Sequence, residues 1–157
     1  MCADQSPVPA REENKESAAE RARRLSPIAL AFLGDAVFEL RVRRYLVETR
    51  HVPSARLHAA CVSFVNAAAQ AEAVRALLPD LTGEEAVIFR RGRNANTTHV
   101  PKNASPAEYR YATGLEALFG YLALCGREER ADELFGAVVR LHAREKAAFA
   151  EADSAGE

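Results

Sequence analysis

Two carboxylates stand in stretches that otherwise read as helix interior. Asp35 follows Gly34 in the run FLGDAVF, and Glu116 lies within YATGLEALFGYLAL. On helices, Asp35 shares a face with Ile28, Ala31, Phe32, Phe38, Glu39 and Val42, and Glu116 with Ala112, Thr113, Phe119, Gly120 and Ala123. Both acids are therefore expected to point inward, where a carboxylate loses hydration unless a cation or hydrogen-bond donors meet it. The small residues around Glu116, and Gly34 beside Asp35, would let two helices approach closely; a mid-helix glycine costs about 1 kcal/mol relative to alanine and is usually kept for packing. Two arrangements fit. Each acid neutralises an arginine from another helix, or the helices cross and the acids jointly hold a divalent cation. Mg²⁺ suits the second, since it needs only one or two protein carboxylates beside water and substrate phosphate, with Mn²⁺ as its substitute.

A second feature supplies a use for such an ion. Between residues 90 and 110 the cations Arg90, Arg91, Arg93, Lys102 and Arg110 face one acid, Glu108, in a chain whose net charge is −1. Arg90, Arg91, Arg93 and Lys102, with the amides of Asn94 and Asn103, suit contact with a phosphate backbone. Arginines closing a helix would account for Arg90 and Arg91 but not for the rest. If the acids hold a metal, Asp35 and Glu116 would be its ligands, beside a flank suited to a phosphate backbone. Other chemistries lack their parts. His51, His58, His99 and His142 have no metal-ligand spacing, and Ser63, Cys61 and Cys125 have no partnered base. Glu39, one turn after Asp35, is open to three roles: assisting the metal, anchoring a dimer, or pairing with Arg43 at i+4.

The elements that must position these residues are helices. The 157 residues make one domain, 48% apolar, with seven prolines, eight glycines and few β-branched residues, so the fold class is all-α. Residues 1–24 carry Pro7, Pro9 and many charges with almost no large apolar residue, and read as a flexible N-terminal tail. Ser26-Pro27 opens a helix to about Val47, ended by Pro53. Ser54 caps a second helical stretch with a break near Ser63 to Asn66. Thr82 and Glu85 form a capping box for a helix into Arg91, and Ser105, Pro106 and Glu108 open another that reaches Cys125 and stops at Gly126. A last helix runs from Arg127 to about Phe149, so the domain spans 25–149 and 150–157 is a tail. The apolar stripes around Phe32 to Val42 and Leu115 to Leu122 exceed what one copy covers, which suggests a homodimer. A purely structural helical dimerisation module would show the same stripes but would not need the basic loop. The odd cysteine count, Cys2, Cys61 and Cys125, and the absence of an apolar run of membrane-spanning length suit a cytoplasmic protein without a membrane partner.

Three segments together resemble the Mini-III ribonucleases, short members of the ribonuclease III family without a double-stranded-RNA-binding domain. They are IALAFLGDAVFEL, LHAACVSFVNAAAQA and EEAVIFRRGRNANTTHVPKNASPAEYRYATGLEALFGYL, in family order over about Leu25 to Arg140. FLGDAV alone marks only the wider family, whereas RGRNAN, PKN and YRYATGLEALFGYL are distinctive of the short one. The resemblance implies a helical homodimer that cuts double-stranded RNA with magnesium, one cleavage centre per protomer, on ribosomal RNA (23S) precursors. Asp35 matches the acid of the family's GD signature and Glu116 the glutamate of its second carboxylate motif. Full-length relatives carry two further acids, where this chain has Ala31 and Thr113. Mini-III ribonucleases are similar in carrying only the reduced pair, so the departure reads as subfamily character, with a non-catalytic relative that only binds ribosomal RNA as the alternative.

Overall fold

A computed structural model describes residues 16–49, 53–96 and 105–154, with side chains as far as 147. Among the described residues seven α-helices follow one another: α1 Ala18–Arg24, α2 Pro27–Thr49, α3 Ser54–Val65, α4 Ala67–Leu77, α5 Gly83–Arg93, α6 Pro106–Leu124 and α7 Glu128–Ser154, with a 3₁₀ turn, Leu78–Asp80, between α4 and α5. No strand occurs among the described residues.

The helix starts follow local chemistry. Thr82 and Glu85, and Ser105 and Glu108, form reciprocal capping boxes at α5 and α6, and the Ser26 hydroxyl accepts from Ala29 N at 3.0 Å at the start of α2. The break expected near Ser63 to Asn66 falls at Asn66, whose extended backbone ends α3 while its side chain accepts from Ala69 N and caps α4. Ser54 is not a cap. It is the first residue of α3, and Pro53 precedes it without a side-chain cap bond. α2 extends to Thr49, α5 to Arg93 and α7 to Ser154, while α6 ends at Leu124 with Cys125 as its C-cap and α7 starts at Glu128.

The tail reading fails for residues 16–24. Ser17 and Glu20 make a third capping box, and α1 lies against α6 with Ala22 buried. A helix of seven residues is marginal by itself; one alanine and its tertiary contact are too small a signal to read from a charged sequence.

Helix α6 is the axle of the molecule. Ala112 to Leu115 and Ala117 to Leu122 are all buried, and α1, α2, α4, α5 and α7 pack around them. A helix apolar on every side belongs in the interior. The stripe Leu115 to Leu122 is thus covered within one chain and offers nothing to a second copy. Phe38 of α2 meets Phe119 edge to face at 5.2 Å and Phe135 of α7 at 5.8 Å, locking three helices together.

A candidate carboxylate site and its basic flank

The site is built where α2 crosses α6. A Cβ added to Gly34 would lie 1.6 Å from the Glu116 carbonyl oxygen, and one added to Gly120 would lie 2.0 Å from the Leu30 carbonyl oxygen. Only hydrogen fits on either side, so the two backbones touch. That contact sets Asp35, the neighbour of Gly34, beside Glu116. The close approach expected from the glycines is therefore present, but the expected orientation of Asp35 is not. The face it was assigned is divided: Ala31, Phe38 and Val42 are buried, Phe32 and Ile28 are exposed, and Asp35 itself is exposed at the border. Glu116 is half-buried.

The electrostatics separate the two arrangements that fit the sequence. Desolvation and then the Asp35 charge push the Glu116 carboxyl up to about 8, and desolvation with the Glu39 charge raises Asp35. Among the described residues no ion pair reaches either acid. Several arginines are committed elsewhere. Arg41 holds Glu128 and Asp132, Arg23 and Arg127 converge on Glu84, and Arg130 grips buried Glu85 at 2.9 Å. Glu39 pairs with Arg43, the third of its candidate roles. Two adjacent carboxylates, the charge of one opposing ionisation of the other, with no cation paired to either among the described residues, fit a divalent ion.

The donor set is small. Among the described residues no group of three or more His, Cys, Asp or Glu side chains is placed to hold a metal. Ala31 is buried and apolar. Thr113 is buried with its hydroxyl donating to Tyr109 O at 2.8 Å, so neither substitutes for an acid. Gln70 of α4 is a residue that sequence reasoning missed. It is 1% exposed, its amide acts on the Glu116 carboxyl and lowers its pKa, yet its Nε2 makes no hydrogen bond of ordinary geometry. An unmet buried donor costs about 1–3 kcal/mol. The available signal was one amide in the alanine run AAAQA.

The basic flank is only partly what the sequence suggested. Arg90 is exposed and has no partner among the described residues. Arg91 is not free for a phosphate: it donates to Arg23 O at 2.7 Å and Leu25 O at 2.9 Å, closing the C-terminal end of α1. Arg93 stands 5.9 Å from the Phe89 ring and 5.8 Å from Tyr111 and donates to Asn94 at 3.2 Å. Lys102 and Asn103 lie outside the described residues. Arg75 of α4, absent from the sequence-based set, stacks on the same Tyr111 ring at 4.6 Å. The end of α5 rests on α6 near the acids, since a Cβ at Gly92 would meet Ala117 Cβ at 2.7 Å.

Residues 28–127 match the family model described as Ribonuclease III domain. The chain is similar to the Mini-ribonuclease 3 of Symbiobacterium thermophilum, 47% identical over 113 residues that span 72% of this chain and 87% of that protein. It is also similar to the Mini-ribonuclease 3 of Gloeobacter violaceus, 52% identical over 107 residues, 68% of this chain and 77% of that one. Among solved structures, a crystal structure of a Fusobacterium nucleatum protein superposes with TM-score 0.68 at 33% identity, covering 75% of this chain and 94% of that one.

Proposed function

The chain belongs to the ribonuclease III family of endoribonucleases, and on that premise we propose that it cuts double-stranded RNA by Mg²⁺-assisted phosphodiester hydrolysis. The observation that carries this is the Asp35–Glu116 pair, two neighbouring carboxylates whose ionisation is disfavoured and which no cation pairs among the described residues. Asp35 and Glu116 would hold the ion, which when bound stabilises charge on the phosphate and acidifies a water nucleophile. Exposed Asp35 would meet solvent and substrate, and half-buried Glu116, whose carboxyl is held above its ordinary range, would have to lose its proton to hold the ion. No covalent enzyme intermediate is required.

Duplex RNA is held by shape and phosphate contacts, because its deep major groove is narrow. Arg90, Arg93, Asn94, Lys102 and Asn103 form this grip in the proposal, extended by Arg75, while Arg91 orders α1 behind it. The protein acts as a homodimer, supported by Phe32, Leu40 and Val47 on the outer side of α2, which are 83%, 65% and 71% exposed. Ribosomal RNA precursor as substrate follows from the resemblance to Mini-III ribonucleases. A cytoplasmic location is supported by free Cys61 and Cys125, and no described helix is long and apolar enough to cross a membrane.

The competing reading, an RNA-binding relative that does not cut, is favoured by Ala31 and Thr113 at the two missing acids. One assay separates them: cleavage of a long RNA duplex in Mg²⁺, with EDTA as control. Cutting that EDTA abolishes is the expected result. A protein that binds the duplex but leaves it intact in both Mg²⁺ and Mn²⁺ would overturn the catalytic reading.

A further inference from the structure

We propose that Gln70 is a positioning residue for Glu116: its buried amide donates N–H to one carboxylate oxygen and fixes the orientation in which the other meets the divalent ion. The inference rests on the metal reading of the Asp35–Glu116 pair and deepens it.

Among the described residues three polar side chains are buried in the core, Gln70, Glu85 and Thr113. Glu85 has Arg130, and Thr113 has the Tyr109 carbonyl. Gln70 alone keeps an unpartnered donor, Nε2. Around it α4 is ordinary core, with Ala71, Ala73, Val74 and Leu77 buried, and a leucine at position 70 would bury comparable volume without stranding an N–H. The polar group that answers this donor is the Glu116 carboxyl on α6, against which α4 packs.

The two incomplete groups complete each other when the ion is bound. A carboxylate that gave one oxygen to the cation would leave the second with its charge in a desolvated place. A fixed N–H on that second oxygen orients the ligand and is the usual role of an outer-shell partner, whose removal weakens metal affinity by about 10- to 100-fold.

The test is Mn²⁺ binding to the full chain, by electron paramagnetic resonance or calorimetry, for wild type, Glu116→Gln, Gln70→Leu and Gln70→Met. Both Gln70 variants remove the donor at similar volume. Each should raise the Mn²⁺ dissociation constant about 10-fold or more while the melting temperature in EDTA stays level or rises, because the stranded donor is gone. In cleavage, the Mg²⁺ concentration for half-maximal rate should rise, the KM for the duplex should stay put, and excess Mn²⁺ should restore kcat. Wild-type Mn²⁺ affinity in whichever Gln70 variant folds overturns the inference while leaving the metal reading intact. If wild type binds no Mn²⁺, or Glu116→Gln binds as tightly as wild type, the metal reading falls and this inference with it.

Discussion

Gly34 of α2 lies so close to Glu116 of α6 that a β-carbon on the glycine would stand 1.6 Å from the glutamate's carbonyl oxygen. The glycine of the GD pair is therefore a spacer that brings the following aspartate to the second acid. Alanine is the better helix former by about 1 kcal/mol, but here the overlap is with backbone and no side chain can turn away. Gly34→Ala should destabilise the protein by about 2 kcal/mol or more and depress cleavage by spreading the acids. Gly83, with nothing within 4 Å of its added Cβ, is the control: Gly83→Ala should be neutral or stabilising. Denaturant melts of the two variants decide the matter, and equal stabilities would refute the spacer role.

Asp35→Asn and Glu116→Gln should each abolish cutting in Mg²⁺ while duplex binding persists. Near-native turnover in either variant would remove that residue from the metal site.

Glu116 also makes a prediction about stability and pH. Its folded pKa of about 8 lies above the ordinary 4.5, so between those values the folded chain holds a proton that the unfolded chain has released. Stability from this group therefore falls as pH rises from about 4.5 to about 8, at roughly 1.4 kcal/mol per unit at most. In EDTA, Glu116→Gln should melt higher than wild type at pH 8.5 by several degrees on the order expected for a few kcal/mol, and the advantage should vanish toward pH 4.5. Addition of Mg²⁺ should raise the wild-type melting temperature and not that of the variant. A pH-independent difference between the two would show that Glu116 titrates normally.

Phe32, 83% exposed, contributes little to the core of a single chain. Phe32→Glu should leave the fold intact and shift sedimentation equilibrium from twice the 17.1 kDa chain mass to the chain mass itself. Wild type sedimenting only as a 17.1 kDa species at micromolar concentration would exclude the dimer.

The basic flank divides into residues that grip and one that builds. Replacing Arg90, Arg93 and Lys102 together by alanine should weaken duplex binding and reduce its salt slope by up to about three phosphate contacts. Arg91→Ala should instead lower stability, by about 1–3 kcal/mol for the carbonyls of Arg23 and Leu25 at the end of α1 left without this donor, and leave the salt slope as it was. The reverse pattern, an unmoved slope in the triple variant and a reduced one in Arg91→Ala, would reassign the grip.

What the sequence determined by itself is local. The capping boxes at Thr82 and Ser105, the break at Asn66 and the stop at Gly126, whose φ is +67°, each depend on side chains within a few residues of the backbone they serve. The all-α class and the helix order were legible for that reason. The two acids stood out because charge interrupted an apolar period, and Gly34 because glycine in mid-helix needs an explanation. What only the tertiary structure decided depends on residues far apart in the chain. Period and spacing gave one face to Asp35, but whether that face meets protein or solvent is set by which helix lies across it, and α6 covers the Gly34 side only. Arg91 read as a free cation because its partners, the carbonyls of residues 23 and 25, are backbone atoms some 66 to 68 positions away. The α6 stripe read as surplus apolar surface because five helices that bury it are invisible from its own pattern. Gln70 read as one polar residue on an alanine helix; its significance is the carboxyl it faces across α6, and burial of a donor can be recognised only when the element that buries it is in place.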